Sequence, residues 1–185
     1  MKRIVASISL LSMIWCGTSA LAEDAENCKD HPLFSRMPSY EIFNCASREF
    51  DVVAFPKPGL KEWATPQDYS DIEGKVVAIS YKLKEGATAA SSLQIIRNFQ
   101  NAIKNDSGTI LGDYHDNLYP DFPETAAKYL NESPSGTSFD RYTTMALKKG
   151  DSEYWVYLCA NERNQDYMLL TVEKQEMKQD VNVKK

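Results

Sequence analysis

Two histidines hold most of the acid–base potential of this chain. His31 stands in Asp30-His31-Pro32-Leu33-Phe34-Ser35-Arg36-Met37-Pro38-Ser39-Tyr40. An aspartate beside it and an arginine five residues on could orient an imidazole for proton transfer. The same three residues could equally pin a loop by hydrogen bonds and an Asp–Arg pair. His115 lies in Asp113-Tyr114-His115-Asp116, three potential oxygen or nitrogen ligands in a row. Near-adjacent ligands need a second cluster to close a metal site, so a polar turn after a strand explains them as well and no metal is expected. Asp68 with Asp71 and Glu124 with Glu132 lack an apolar setting that would raise one carboxyl above the other. The serine-hydrolase, zinc-protease and phosphate-loop signatures are absent, and no Cys-x-x-Cys is present. The residues therefore predict no cofactor and no enzyme. Ten tyrosines and three tryptophans could furnish a sugar or peptide platform, or a core.

Four cysteines frame the address of the chain. Met1-Lys2-Arg3, the apolar run Ile4–Cys16 and Ala20-Leu21-Ala22 before Glu23 read as a secretory signal peptide over 1–22. The apolar run is too short to span a bilayer. Trp15 before Cys16 is a poor lipidation context. Removal of 1–22 takes away Lys2 and Arg3 and no acid, moving the net charge from −5 to −7. An acidic domain without a basic block is a poor partner for nucleic acid or anionic lipid. An exported chain meets oxidising conditions, so Cys28 and Cys45 are expected to pair and to stabilise the fold by about 3 kcal/mol. Cys159 in Tyr157-Leu158-Cys159-Ala160 is expected as a small buried hydrophobe.

The elements that must position these groups follow from periodicity. Residues 91–106 carry Ile95, Ile96, Phe99, Ala102 and Ile103 on one stripe of a helix, with a serine to cap it and Ser107-Gly108 to stop it. Strands are expected over Tyr40–Cys45, near Phe50–Phe55, over 76–83 and over Thr109–Tyr114. A meander of 139–148, 154–160 and 167–173 ends the domain, and its apolar-on-both-faces strand belongs inside a sheet. Glu124–Leu130 is a candidate short helix. The expected class is α+β: a mainly antiparallel sheet with one long amphipathic helix, and the candidate short helix, on one face. The expected organisation is an arm over 23–39, a single domain over 40–174 and a polar tail over 175–185.

A resemblance then adds an address. The Asp30–Tyr40 stretch resembles the opening of the N-terminal module of proteobacterial outer-membrane protein A (OmpA) family proteins. Glu73-Gly74-Lys75, Ile79-Ser80-Tyr81, Ser92-Leu93-Gln94-Ile95-x-Arg97-Asn98-Phe99, Gly108-Thr109 and Trp155-Val156 are similar too, as is Val172-Glu173-Lys174-x-x-Met177-x-Gln179-Asp180-Val181. In that family a peptidoglycan-binding domain follows near the position of Val181, so none of its binding residues carries over to this sequence. The resemblance implies export to the periplasm or the outer membrane and a binding rather than a catalytic role. The expected partner is a cell-envelope protein or glycan. The expected contact surface is His31, Phe34, Arg36 and Tyr40 on the arm. The competing expectation is a small periplasmic hydrolase built on His31, Asp30 and Arg36.

Overall fold

The computed structural model describes residues 24–59, 68–115, 128–130 and 140–183. Six strands form one antiparallel sheet: β1 (Tyr40–Pro56), β2 (Tyr69–Leu83), β3 (Thr109–His115), β4 (Arg141–Lys149), β5 (Ser152–Asn161) and β6 (Asp166–Lys174). Their order across the sheet is β1-β2-β6-β5-β4-β3. The helix α1 (Ser92–Asn105) joins β2 to β3 and lies against β3, β4 and β5.

This corrects the α+β expectation. Among the described residues the fold is predominantly β, and the helix α1, 14 residues and about 21 Å long by helical rise, is an accessory. The two expected strands Tyr40–Cys45 and Phe50–Phe55 are one 17-residue strand, and β2 begins at Tyr69 rather than near Val76. The polar run Ser47-Arg48-Glu49 looks like an interruption in sequence. In the sheet it is absorbed by β-bulges at Ile42/Asn44 and Arg48/Asp51, which bend the strand without ending it. Of the candidate short helix, residues 124–127 lie outside the described residues; Lys128 and Tyr129 are helical, and Tyr129 and Leu130 are buried.

Alternation along the strands gives the sheet two apolar faces. One collects Tyr40, Ile42, Ile79, Tyr81, Met145, Val156, Leu158 and Leu169 beneath Ile95, Ile96, Phe99 and Ile103 of α1. The other collects Val76, Ala78, Tyr142, Tyr157, Cys159, Met168 and Leu170 with Val53, Phe55, Ile72, Tyr129 and Leu130. β5 contributes to both faces and is an interior strand, as its residue pattern predicts. Cys159 is fully buried, which pushes its thiol pKa well up.

The second face is covered partly by the hairpin itself. β2 pairs with β6 only from Gly74 to Lys82, so the distal ends of β1 and β2 overhang the sheet. The overhang curls back. Phe55 stacks on Tyr157 with centroids 4.4 Å apart and meets Trp155 at 5.4 Å, and the Tyr157 hydroxyl donates to the Ala54 carbonyl at 3.2 Å. Gly74 sits where the overhang begins, and a Cβ there would run into the Glu173 carbonyl of β6. Backbone cannot yield as a side chain can, so Gly74→Ala is expected to cost about 1–3 kcal/mol. Urea unfolding of the mature chain and of this variant would check this.

Candidate functional site

The arm is held across the helix-bearing face by one arginine. Arg36 Nε donates to both Asp30 oxygens at 3.0 Å, Nη2 donates to Asp24 Oδ2 at 2.8 Å, and Nη1 pairs with Asp24 Oδ1. Each carboxylate is tied to the domain in turn. Asp24 Oδ1 accepts the Ile42 amide at 2.9 Å, and Asp30 Oδ1 accepts the Tyr81 hydroxyl at 3.0 Å. A planar guanidinium with donors on two edges can serve two carboxylates at once, which an ammonium cannot do in this geometry. Hydrogen bonding to Arg36 holds the Asp24 carboxyl below its usual range, against the opposing effect of partial burial. The same bonds, Asp24's first, push Arg36 up, so it stays charged.

Tyrosines form the bed of this clasp. Tyr81 stacks on Tyr167 at 4.5 Å, Tyr40 meets Tyr167 edge-on at 5.1 Å, and the Arg36 guanidinium lies 5.9 Å from the Tyr81 ring centre. The Tyr167 hydroxyl accepts the Met37 amide at 3.1 Å. Burial raises the Tyr81 and Tyr167 phenols, so both remain neutral. The Cys28–Cys45 disulfide ties the start of the arm to β1, as the sequence predicts. A disulfide fits an exported protein. Among the described residues no helix is long and apolar enough to cross a membrane.

The four arm residues singled out by sequence separate into two pairs. Tyr40 is fully buried and His31 is 8% exposed, whereas Phe34 and Arg36 are half-buried. Phe34 packs on Phe99 of α1 at 5.3 Å. Between arm and helix runs a groove of about 410 Å³ lined by Leu33, Phe34, Met37, Pro38, Asn98, Phe99 and Ala102, with Ser35 and Arg36 at its margin. A second hollow of about 250 Å³ shares Met37 and Pro38 and continues toward Gln94 and Ala90. Ala102, assigned by periodicity to the buried stripe, is exposed and forms the far wall.

His31 is not set up as a hydrogen-bonded pair with Asp30, whose oxygens serve Arg36 and Tyr81. Its Nδ1 accepts the Leu33 amide at 3.3 Å, and its ring lies 6.2 Å from Tyr154 and 6.3 Å from Phe34. Desolvation lowers its pKa, and the charge of Glu173 only partly opposes this. His115 ends the edge strand β3 opposite Arg141, and Asp113 pairs with Arg97 at 3.1 Å. Asp116, Glu124 and Glu132 lie outside the described residues. Among the described residues, no group of three or more His, Cys, Asp and Glu side chains is placed to hold a metal ion.

Sequence reasoning missed Asp24, Tyr81 and Tyr167 as parts of the site. Asp24 is twelve residues from Arg36, and the two tyrosines come from strands that only the sheet makes neighbours. Comparison with protein-family models finds no match to this chain, and comparison with curated proteins finds none either.

Removing the guanidinium leaves two half-buried carboxylates facing each other across the arm. Arg36→Ala is therefore expected to destabilise the mature chain by roughly 1.5–3 kcal/mol, the range for hydrogen bonds to charged groups. Arg36→Lys should recover only part of the loss. Chemical denaturation of the three proteins at neutral pH measures both.

Proposed function

We propose that this chain is a non-enzymatic module of the cell envelope, residing in the periplasm or at the outer membrane. It holds an apolar segment of another envelope protein in the groove between the arm and α1. The observation that carries the reading is the Arg36 clasp. It fixes the arm so that Leu33, Phe34 and Met37 remain half-buried, facing Asn98 and Ala102 across an open groove. A rigid, mostly apolar cleft with a few polar groups at its margin is the usual form of a binding site. Export is supported by the secretory character of residues 1–22 and by the disulfide. The resemblance to the OmpA-family N-terminal module supports the envelope address.

A protein segment suits the groove better than a glycan. Sugar sites pair open aromatic faces with polar groups, whereas the half-buried Phe34 of this groove lies among Leu33, Met37 and Ala102 and the Phe99 ring beneath it is buried. The hydrolase alternative draws less support, because Asp30 and Arg36 are engaged with each other rather than with His31.

Ala102→Arg tests the reading, since the substitution fills the groove from an exposed helix position and should leave folding unchanged. The mature chain and this variant would be compared for thermal stability and for retention on envelope fractions. Loss of retention at unchanged stability is expected, and it should also follow protease treatment of the fractions. Equal retention of the two proteins removes the groove from the function; retention that survives protease replaces the protein partner with a glycan.

A further inference from the structure

We propose that His31 is an acid-sensitive latch on the wall of this groove: its protonation releases the Leu33–Phe34 segment while the rest of the arm stays docked. As a regulatory device the inference rests on the groove reading above, but the latch itself is a property of the arm and can be tested without any partner.

The argument begins with the ring nitrogen. Nδ1 of His31 accepts the Leu33 amide two residues on, the arrangement an Asx turn makes with a side-chain oxygen. An imidazole nitrogen can accept only while it carries no proton, so the docked arm requires neutral His31 with its hydrogen on Nε2. Protonation would set two donors against each other, Nδ1–H and Leu33 N–H, in a site that is 8% exposed. Nor, among the described residues, does an anion hydrogen-bond His31. From β5, Tyr154 presents its ring. From β6, Glu173 acts on His31 through its charge and not through a hydrogen bond, its Oε1 accepting the Ser152 hydroxyl at 2.7 Å and the Tyr154 hydroxyl at 3.1 Å. From the arm itself, Asp30 is taken by Arg36 and Tyr81, and Phe34 is apolar.

The linkage sign follows. Burial lowers the His31 pKa in the docked state, so the released arm binds the proton more readily. The stabilisation is fully present above the ordinary histidine value of about 6.5 and is lost as pH falls through the depressed value. The clasp behaves differently. Asp24 is held below the usual carboxylate range, so the Arg36–Asp24 pair survives to lower pH than the His31 contact. Moderate acid therefore frees only the span between Asp30, tied to Arg36 and Tyr81, and Arg36, tied to Asp24 and Asp30. That span contributes Leu33 and Phe34, one wall of the groove. Because both ends remain anchored, release is local and reversible.

The experiment is a two-dimensional NMR titration of the mature chain between about pH 7.5 and about pH 4.5, spanning the histidine range. The His31 ring should titrate below about 6.5. The Leu33 and Phe34 amides should move with the same midpoint and lose roughly tenfold or more of their exchange protection, while the Ile42 amide on Asp24 stays put. His31→Asn supplies a non-titrating acceptor to the Leu33 amide, and this transition should vanish in it; in His115→Gln it should remain. The proposal is overturned if the arm amides ignore the His31 titration, or if the transition persists in His31→Asn. A thermal melt of His31→Asn at neutral pH guards against a variant that merely unfolds. Failure of the groove to bind anything would leave these titrations unchanged, so the two readings fail separately.

Discussion

The Arg36 guanidinium is the constraint on which the arrangement of this face depends. It joins Asp24 and Asp30 of the arm to each other and, through the Ile42 amide and Tyr81 hydroxyl that those carboxylates accept, to β1 and β2 of the sheet. Two carboxylates brought this close would repel one another without the cation between them. The partly buried setting strengthens the attraction relative to a fully exposed pair, and the number of fixed hydrogen bonds makes the geometry specific. The arm thus behaves as part of the domain rather than as a flexible leader.

The same logic of anchoring recurs around α1. Ser91 caps the helix by accepting the Gln94 amide at 3.1 Å, and Glu162 reaches from the β5–β6 turn to the Ser92 amide and hydroxyl. An acidic group at a helix amino end is favoured by both the unpaired amides and the helix dipole. Beneath the helix, buried Gln100 donates to Thr143, which in turn donates to the Gly112 carbonyl, so a polar chain crosses the interface fully paired. Arg97 adds an ion pair to Asp113 on the edge strand. The helix is therefore fixed in rotation as well as position, which is what makes Asn98 and Ala102 a stable groove wall.

A long edge strand is a liability that this fold limits by geometry. The outer side of β1 is bent by two bulges and met by the arm, whose Ala25 amide donates to the Ile42 carbonyl. Bulges and side contacts of this kind discourage pairing with a second sheet. They also let one strand serve both faces of the sheet, its first turn of residues packing under the arm and its last over Tyr157.

Local patterns were legible in the residues. The helix, its serine cap, the terminal meander, the interior position of β5 and the Cys28–Cys45 pairing follow from periodicity, turn chemistry and cysteine count, all of which act over a few residues or leave few alternatives. The Asp–Arg pairing within the arm was visible as a possibility because both residues sit in one short stretch. What the sequence could not decide is anything set by strand adjacency. The joining of two expected strands into β1, the return of its end over Tyr157, the second carboxylate at Asp24 and the tyrosine bed depend on bulges and on contacts between distant segments, which leave no local periodic trace. The division of the arm into a buried His31 and Tyr40 and a groove-lining Phe34 and Arg36 has the same origin. Residue type sets which chemistry a side chain can do, but only packing decides whether water or another molecule can reach it.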